Sequence, residues 1–245
     1  MGETQALAVD SLATGYKRHS VLSDVSFGVG EGEIFGLVGL NGAGKTTLIK
    51  TILDLVPAAR GRIALFGEAH TRPASRRHLA FLPEQVLPSP TLKGREWVRL
   101  ILGHHGVRWR RADADRMAEA LALDPAALDR RVATYSKGMG QKLGLIATFL
   151  SERPLLILDE PTRGLDPLAR RRLKELVLAR RVAGTTIVLS SHILADVDAL
   201  CDRIGIVDSG GLAFTGAPAS LRAEHGGDLE QAFLSAIGGG APERG

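Results

Sequence analysis

A glycine-rich loop between a predicted strand and a predicted helix carries the strongest chemical signal in the sequence. Residues 39–47 of this loop read Gly-Leu-Asn-Gly-Ala-Gly-Lys-Thr-Thr and follow the apolar run Ile34–Val38. The spacing fits G-x-x-x-x-G-K-[ST], in which glycines let backbone N–H groups face a polyphosphate while the helix that follows adds the positive end of its dipole. The first predicted ligand is therefore a nucleoside triphosphate with Mg²⁺.

Two side chains of this loop have distinct predicted roles. Lys45 would reach the β- and γ-phosphates, and the hydroxyl of Thr46 would be a ligand of the metal ion, as in the general scheme of phosphoryl transfer. A glycine-rich loop with a surface lysine is the alternative, and the flanking strand and helix count against it. The predicted nucleotide-binding residues of the loop are Gly39, Asn41, Gly42, Ala43, Gly44, Lys45, Thr46 and Thr47.

Polar side chains also close two later apolar runs. Leu155–Leu158 leads into Asp159 and Glu160, and residues 186–189 lead through two serines into His192. Such runs are typical of buried parallel strands, whose carboxyl ends carry the ligands in open α/β sheets. We expect these two strand ends to converge on one site with the strand end that precedes the glycine-rich loop.

Each of these strand-end residues has a predicted role in hydrolysis. Asp159 is suited to hold Mg²⁺ directly or through water, because carboxylate oxygens are ligands that this ion prefers. Glu160 would face the γ-phosphate and orient or deprotonate the attacking water. A turn-forming Asp-Glu pair is the alternative for the two carboxylates. His192 alone would be a histidine at a strand end, and the company of the other strand ends places it in the site.

Length and composition limit the class of protein. The chain has 245 residues, a net charge of +4 and one cysteine, so it holds one large α/β domain or two small ones and no internal disulfide. No apolar run approaches the length of about 20 residues that spans a bilayer, and no secretion signal is evident. The arginines at 170–172 fall on the polar face of a predicted helix. Without a recognition motif, this charge predicts no nucleic-acid partner.

The order of elements predicts an α/β fold. Residues from about 5 to 38 alternate short apolar stretches with turns, which indicates an N-terminal β layer. Helical periodicity dominates residues 86–151, where it predicts an inserted helical segment. Two further strands, at 203–207 and 212–215, are joined by a predicted turn, and a helical tail follows. Cys201, in Leu200-Cys201-Asp202, is more simply a small half-buried side chain than a nucleophile.

Further motifs resemble those of the ATP-binding cassette (ABC) ATPases. Residues 158–167, Leu-Asp-Glu-Pro-Thr-Arg-Gly-Leu-Asp-Pro, look like the Walker B motif followed by the D-loop. Residues 135–141, Tyr-Ser-Lys-Gly-Met-Gly-Gln, resemble the signature motif, which is far more specific than a phosphate loop. The order is also that of the family, with Tyr16 as the A-loop aromatic residue, 81–85 as the Q-loop region and His192 as the H-loop.

The resemblance implies a fold and a domain organisation. The fold would be α/β, with a P-loop NTPase core of mostly parallel sheet, an N-terminal antiparallel β layer and a helical signature subdomain. Residues 5–237 would form a single nucleotide-binding domain, with the helical subdomain at about 86–151. The glycine-rich end of the chain, residues 238–245, is predicted to be disordered.

The resemblance also implies a head-to-tail dimer, with itself or with a homologous cassette, that encloses two ATP molecules. Ser136 and Gly138 stand where a predicted helix begins, so the hydroxyl, backbone N–H groups and helix dipole suit a γ-phosphate. This second phosphate site would serve the ATP of the opposite subunit, because the phosphate loop and Glu160 already serve their own. Asp166 would lie at the interface, and Tyr16 would stack on adenine.

Two departures from the family pattern affect the predicted site. The Q-loop position that is commonly glutamine holds Glu84, with Gln85 beside it, and which of the two approaches the metal ion and the water is left open. The signature begins Tyr-Ser-Lys-Gly-Met rather than Leu-Ser-Gly-Gly-Gln, so Lys137 joins the predicted phosphate-binding residues. A lysine in the signature and a Leu-Pro-Glu Q-loop resemble the ATPases of ABC-2-type exporters.

The function that the resemblance implies is an ATP-hydrolysing subunit that powers a transporter. Transmembrane permease subunits would be separate chains, and the cassette would lie at the cytoplasmic face of the cell membrane. One alternative is a soluble ABC ATPase that acts on nucleic acid or the ribosome. A second is a regulatory subunit that is gated by ATP without useful hydrolysis, against which the presence of Glu160 and His192 counts.

Overall fold

The computed structural model describes residues 5–16 and 19–238 and divides the chain into two units. Unit 1 consists of residues 1–76 and 186–245, and unit 2 consists of residues 77–185. The prediction of a disordered chain end falls, beyond Gly238, on residues outside the described part. The extent of the single domain and of its helical subdomain stays a prediction.

The elements have the following bounds. In chain order the strands are β1 (Gln5–Tyr16), β2 (His19–Gly30), β3 (Ile34–Val38), β4 (Ala58–Leu65), β5 (Glu68–Ala69), β6 (Leu79–Leu82), β7 (Leu155–Leu158), β8 (Thr186–Ser191), β9 (Arg203–Asp208) and β10 (Gly211–Gly216). The helices are α1 (Lys45–Ile52), α2 (Gly94–His104), α3 (Arg111–Ala120), α4 (Lys137–Leu150), α5 (Pro167–Val182), α6 (Leu194–Leu200), α7 (Pro218–His225) and α8 (Leu229–Gly238). Within the described residues, no helix is long and apolar enough to cross a bilayer.

The antiparallel layer of unit 1 has the strand order β2-β1-β4-β5. Strand β1 buries Leu7, Val9 and Leu12 on the core side, as half-buried strands of antiparallel sheets do. The layer extends beyond the residues from about 5 to 38 that the sequence assigns to it, because β4 and β5 follow α1 and complete it. Strand β4 is not predicted from the sequence, because its first half carries exposed arginines and does not alternate apolar with polar residues.

The second sheet of unit 1 is mostly parallel. Its strands run in the order β10-β9-β3-β8, with β3 parallel to both neighbours and β10 antiparallel to β9. Every residue of β3 and of β8 is buried, as expected for central strands of a parallel sheet. Val38 lies opposite Ser191 in the register, so the carboxyl ends of β3 and β8 are neighbours. This confirms the predicted convergence for two of the three strand ends.

Unit 2 contains the third of these strand ends. Strand β7 is buried throughout and pairs in parallel with β6. The helices predicted between residues 86 and 151 are α2, α3 and α4, and all of them belong to this unit. Helix α5 buries Ala169, Leu173 and Val177 and leaves the arginines at 170–172 exposed, which confirms that these charges lie on a solvated face.

Cys201 belongs to the core of unit 1. Its side chain is buried, and a Cβ added at Gly36 on β3 would come within 2.8 Å of the Cys201 sulfur. Burial away from water disfavours the charged thiolate and raises the pKa of Cys201 to about 12. The thiol is therefore protonated at neutral pH, and it is a packing group.

We expect Cys201 to resist alkylation in the native protein, because the thiolate is the reactive species and is scarce at about pH 8. Iodoacetamide labelling followed by intact-mass measurement should show little adduct on the native chain and complete labelling in concentrated urea. A Cys201→Ala variant provides the blank. Equal labelling rates in the native and unfolded chains would contradict a buried, protonated thiol.

Candidate functional site

The phosphate loop of unit 1 connects β3 to α1 through backbone conformations that glycine adopts readily. Gly42 and Gly44 have positive φ angles of 86° and 112°. A Cβ at Gly44 would lie 2.7 Å from Leu22 Cδ2, and one at Gly39 would lie 2.4 Å from the carbonyl oxygen of Val207. The glycines thus serve both the turn and the close packing of the loop against the strands behind it.

Lys45 brings a positive charge to the start of α1. The residue is buried, and its Nζ donates hydrogen bonds to the carbonyl oxygens of Gly39 at 2.7 Å and Leu40 at 3.2 Å. Thr46 and Thr47 are half-buried in the first turn of the helix. An ammonium group and a helix N-terminus at one place favour an anion. The remaining predicted residues of the loop, Asn41, Gly42 and Ala43, are exposed or half-buried.

His192 follows the strand beside the phosphate loop. It comes directly after β8, whose last residue, Ser191, is paired in register with Val38 at the end of β3. The side chain of His192 is exposed, whereas Ser190 and Ser191 are buried. The structure therefore brings His192 and the phosphate loop to neighbouring strand ends of one sheet in unit 1.

Tyr16 ends β1 and is 47% exposed. It pairs with His19 at the end of the β1–β2 hairpin, in the antiparallel layer. A large aromatic side chain with half its surface in water is suited to stack on a flat ligand. The assignment of Tyr16 to adenine stays a prediction.

Unit 2 holds the two candidate carboxylates. Asp159 and Glu160 follow β7 and are 2% and 7% exposed. The backbone N–H of Asp159 donates to the carbonyl of Leu82 at 2.9 Å, so the parallel pairing of β6 and β7 extends to Asp159. Glu160 has a φ of 47°, a left-handed conformation that is uncommon for this residue type. Uncommon backbone conformations of this kind cluster at functional positions, and the roles of Asp159 and Glu160 stay a prediction.

The signature segment of unit 2 forms a second helix start. Ser136 is the N-cap of α4, and its Oγ accepts a hydrogen bond from the N–H of Met139 at 3.2 Å. Ser136 and Lys137 are exposed, and Gly138 is half-buried. A Cβ at Gly138 would lie 2.7 Å from the carbonyl oxygen of Gly164, so the signature backbone packs directly on the D-loop.

Asp166 caps α5 and is tied to the signature helix. Its Oδ1 accepts the N–H of Ala169 at 2.9 Å, and its Oδ2 accepts Nζ of Lys142 at 2.9 Å. These two hydrogen bonds, the backbone one first, hold the pKa of Asp166 below its usual range. Lys142 is buried and also donates to the carbonyl of Ala122. Sequence analysis missed Lys142, although a lysine among the apolar residues of α4 was a signal that it needs a partner.

The structure separates the two Q-loop candidates. Glu84 forms an ion pair with Arg163 of the D-loop, whereas the side chain of Gln85 is exposed. Arg163 is a second functional candidate that sequence analysis did not identify. No local pattern marks it, because its partner stands far away in the sequence.

Each unit thus assembles one part of the predicted set. Unit 1 brings the phosphate loop and His192 to adjacent strand ends and holds Tyr16 in its antiparallel layer. Unit 2 brings the carboxylates, the signature segment, the D-loop and the Q-loop residues together around β6, β7 and α4. The first set suits the binding of a polyphosphate, and the second contains the carboxylates that suit a metal ion and a water molecule.

Comparison with known sequences shows the family to which the chain is related. Residues 22–163 match the family model described as ABC transporter. The linearmycin resistance ATP-binding protein LnrL of Bacillus subtilis is 32% identical, over 94% of this chain and 78% of that protein. The daunorubicin resistance ATP-binding protein DrrA3 of Streptomyces coeruleorubidus is 35% identical, over 95% of this chain and 75% of that protein. The ABC-type transporter ATP-binding protein EcsA of B. subtilis is 34% identical over 90% of both chains.

Solved structures agree with the sequence relatives. An ATP-binding subunit of an ABC transporter superposes with a TM-score of 0.87 at 35% identity, covering 94% of this chain and 99% of that one. The cassette MJ0796, in a dimeric post-hydrolysis state bound to ADP and Pi, superposes with a TM-score of 0.79 over 86% of this chain and 98% of that one. At 20% identity, the second likeness supports the fold alone.

The matched model covers the phosphate loop, the signature and the Walker B motif, and the relatives extend the likeness to nearly the whole chain. The similarity to these relatives therefore covers the segments between the motifs as well as the motifs themselves. The chain belongs to the ABC transporter family, and it is an ATP-binding subunit that hydrolyses ATP.

Proposed function

We propose that this chain powers an ABC-2-type exporter as one half of a head-to-tail dimer that encloses two ATP molecules. The observation that carries the proposal is the presence of two helix starts suited to phosphate, one at Lys45 in unit 1 and one after the exposed N-cap Ser136 in unit 2. A single nucleotide needs only one of them as its primary phosphate site. The other then serves the nucleotide of the opposite subunit.

The chain's own nucleotide would be held by the phosphate loop. Lys45 would exchange hydrogen bonds to loop carbonyls for bonds to the β- and γ-phosphates, and residues 39–47 would surround them with N–H groups. Tyr16 would stack on the adenine ring. Glu160 would accept a proton from the attacking water or orient it, and His192 would hydrogen-bond the γ-phosphate.

Mg²⁺ fits the oxygen donors of this chain. Thr46 and Asp159 supply a hydroxyl and a carboxylate, and Mg²⁺ is usually bound by one or two protein oxygens together with phosphates and waters. When bound, the ion would neutralise the charge that develops on the phosphate oxygens.

The opposite subunit's nucleotide would meet the signature segment. Ser136, Lys137 and Gly138 offer a hydroxyl, a positive charge and backbone N–H groups at the start of α4. Asp166 would lie at the same interface. ATP would close the dimer because its phosphates bind both subunits only in the closed state, and hydrolysis would remove that preference.

Export is the direction that the relatives favour. Two of them are named for resistance to linearmycin and daunorubicin, and a third is a Nod factor export ATP-binding protein from Bradyrhizobium diazoefficiens, 34% identical over 86% of this chain and 73% of that protein. We infer that separate transmembrane permease subunits form the substrate path and hold this chain at the cytoplasmic face of the membrane. Closure of the dimer would drive their conformational change.

Substitution of the proposed base, Glu160→Gln, should lower kcat by roughly 10² to 10⁴-fold, because a positioned general base contributes about that much. ATP binding should persist, and ATP-bound dimers should accumulate in size-exclusion chromatography. Glu175→Gln changes an exposed carboxylate on α5 and is the matched control with unchanged turnover. Near-normal turnover of Glu160→Gln would remove Glu160 from the base role.

Substitution of the phosphate-loop lysine, Lys45→Ala, should weaken ATP binding by about tenfold or more, because a charged hydrogen bond to phosphate is lost. Fluorescent-nucleotide titration measures the affinity, and thermal unfolding checks that the variant is folded. Lys50→Ala, an exposed lysine near the end of the same helix, should bind ATP normally. Unchanged affinity of Lys45→Ala would contradict the phosphate-loop assignment.

The transporter assignment predicts a membrane partner. A tagged Glu160→Gln variant, held closed with ATP and purified from detergent-solubilised native membranes, should carry a multi-span protein at near-stoichiometric yield in mass spectrometry. When the Lys45→Ala variant is purified in the same way, it should recover a smaller amount of any partner whose association requires bound ATP. Recovery of ribosomal or DNA-bound proteins instead, with the chain absent from membranes, would replace transport with the soluble alternative.

A further inference from the structure

The ion pair between Glu84 and Arg163 joins two loops of unit 2 that the proposed mechanism uses. Glu84 stands at the Q-loop position, which the sequence offers as a metal-site residue. Arg163 stands in the D-loop, between Glu160 and Asp166. The pair therefore commits the Glu84 carboxylate to an arginine of its own chain.

The backbone brings these two loops together. Strands β6 and β7 are parallel, with Leu82 opposite Leu158, so the loops leave the sheet at neighbouring strand ends. The hydrogen bond from the Asp159 N–H to the Leu82 carbonyl, 2.9 Å long, continues the pairing one residue further. Beyond this hydrogen bond, the ion pair between Glu84 and Arg163 links the two loops that follow β6 and β7.

The opposite side of the D-loop is fixed to the signature helix. Lys142 donates to Asp166 at 2.9 Å, and Gln141 donates to the carbonyl of Pro161 at 3.5 Å. Gly164 has a φ of 74° and lies close to Gly138. A Cβ added at Gly138 would come within 2.7 Å of the carbonyl oxygen of Gly164. The D-loop thus has several attachments to α4, and Arg163 adds one toward Glu84.

Exposure shows what kind of contact the ion pair is. The side chains of Arg163 and Glu84 are 50% and 35% exposed. Ion pairs in such surroundings add little to global stability because water screens them. The guanidinium of arginine has a fixed planar set of donors, which suits Arg163 to hold a carboxylate of a neighbouring loop.

We infer that Glu84 is a positioning residue that holds the D-loop through Arg163, and that it is not a ligand of Mg²⁺. A carboxylate paired with a guanidinium has less negative charge to offer a second cation. Gln85, an exposed neutral side chain, is left as the Q-loop residue for the metal ion and water. The inference rests on the proposed function, because the position of the D-loop matters for hydrolysis only if Asp166 and the signature meet a second subunit.

The first test measures the D-loop without nucleotide. Hydrogen–deuterium exchange of peptides that cover residues 161–168 should be faster in Glu84→Gln and in Arg163→Gln than in the original protein. The charge-swapped double variant, Glu84→Arg with Arg163→Glu, should restore slow exchange. Arg222→Gln removes an ion pair of similar exposure in unit 1 and should leave these peptides unchanged. Exchange that is unchanged in both single variants would overturn the positioning role.

The second test separates a positioning residue from a metal ligand by steady-state ATPase kinetics over a Mg²⁺ titration. Glu84→Gln and Arg163→Gln should lower kcat by similar factors, on the order of 3- to 10-fold, as coupled neighbours do. Their double variant should be no slower than the slower single variant, and the half-saturating Mg²⁺ concentration should stay the same in all three. A raised Mg²⁺ requirement in Glu84→Gln alone would make Glu84 a metal ligand and overturn the inference.

The two proposals fail in different ways. Absence of ATP-bound dimers in Glu160→Gln, or of hydrolysis in the original protein, contradicts the proposed function and is seen without changing Glu84 or Arg163. The exchange test needs neither ATP nor a dimer, so it judges the loop contact by itself. A charge swap that restores slow exchange supports the positioning role even where kcat stays low, because the inference concerns the contact that holds the D-loop.

Discussion

The close approach of backbone to ligand in the phosphate loop is the constraint on which the rest of unit 1 depends. N–H groups can face a polyphosphate only if no side chain stands between, and Gly39 and Gly44 are already packed too closely on Val207 and Leu22 to carry a Cβ. The buried strand β3 must hold this loop in place, so its neighbours β8 and β9 cover it on both edges. The loop therefore starts from a strand that is paired along both of its edges.

Local patterns made much of this arrangement predictable from the sequence. The apolar runs that became β3 and β7 have the predicted bounds, because central parallel strands are buried on both faces and need apolar residues throughout. The amphipathic pattern of α5 also placed its arginines correctly on the solvated face. Periodicity and motif spacing are properties of neighbouring residues, so one sequence is enough to show them.

Contacts between distant residues were not predictable in the same way. Lys142 meets Asp166 and Glu84 meets Arg163 only because parallel pairing of β6 with β7, and packing of α4 beside them, bring distant segments together. Strand β4 was missed for a related reason, since its place in the sheet is decided by pairing with β1 and not by its own charged sequence. The local sequence motifs therefore do not predict which distant segments pair with each other.

The two ion pairs of the D-loop differ in a way that bears on motion. Lys142 is buried, so separating it from Asp166 would leave an ammonium group away from water, which is costly. Arg163 and Glu84 are both part-exposed, and water can solvate each of them if they separate. Separating Arg163 from Glu84 therefore requires less free energy than separating Lys142 from Asp166, so the loop moves more readily on the Arg163 side. Any change in the D-loop should therefore begin on the side of Glu84, while Asp166 stays with the signature helix.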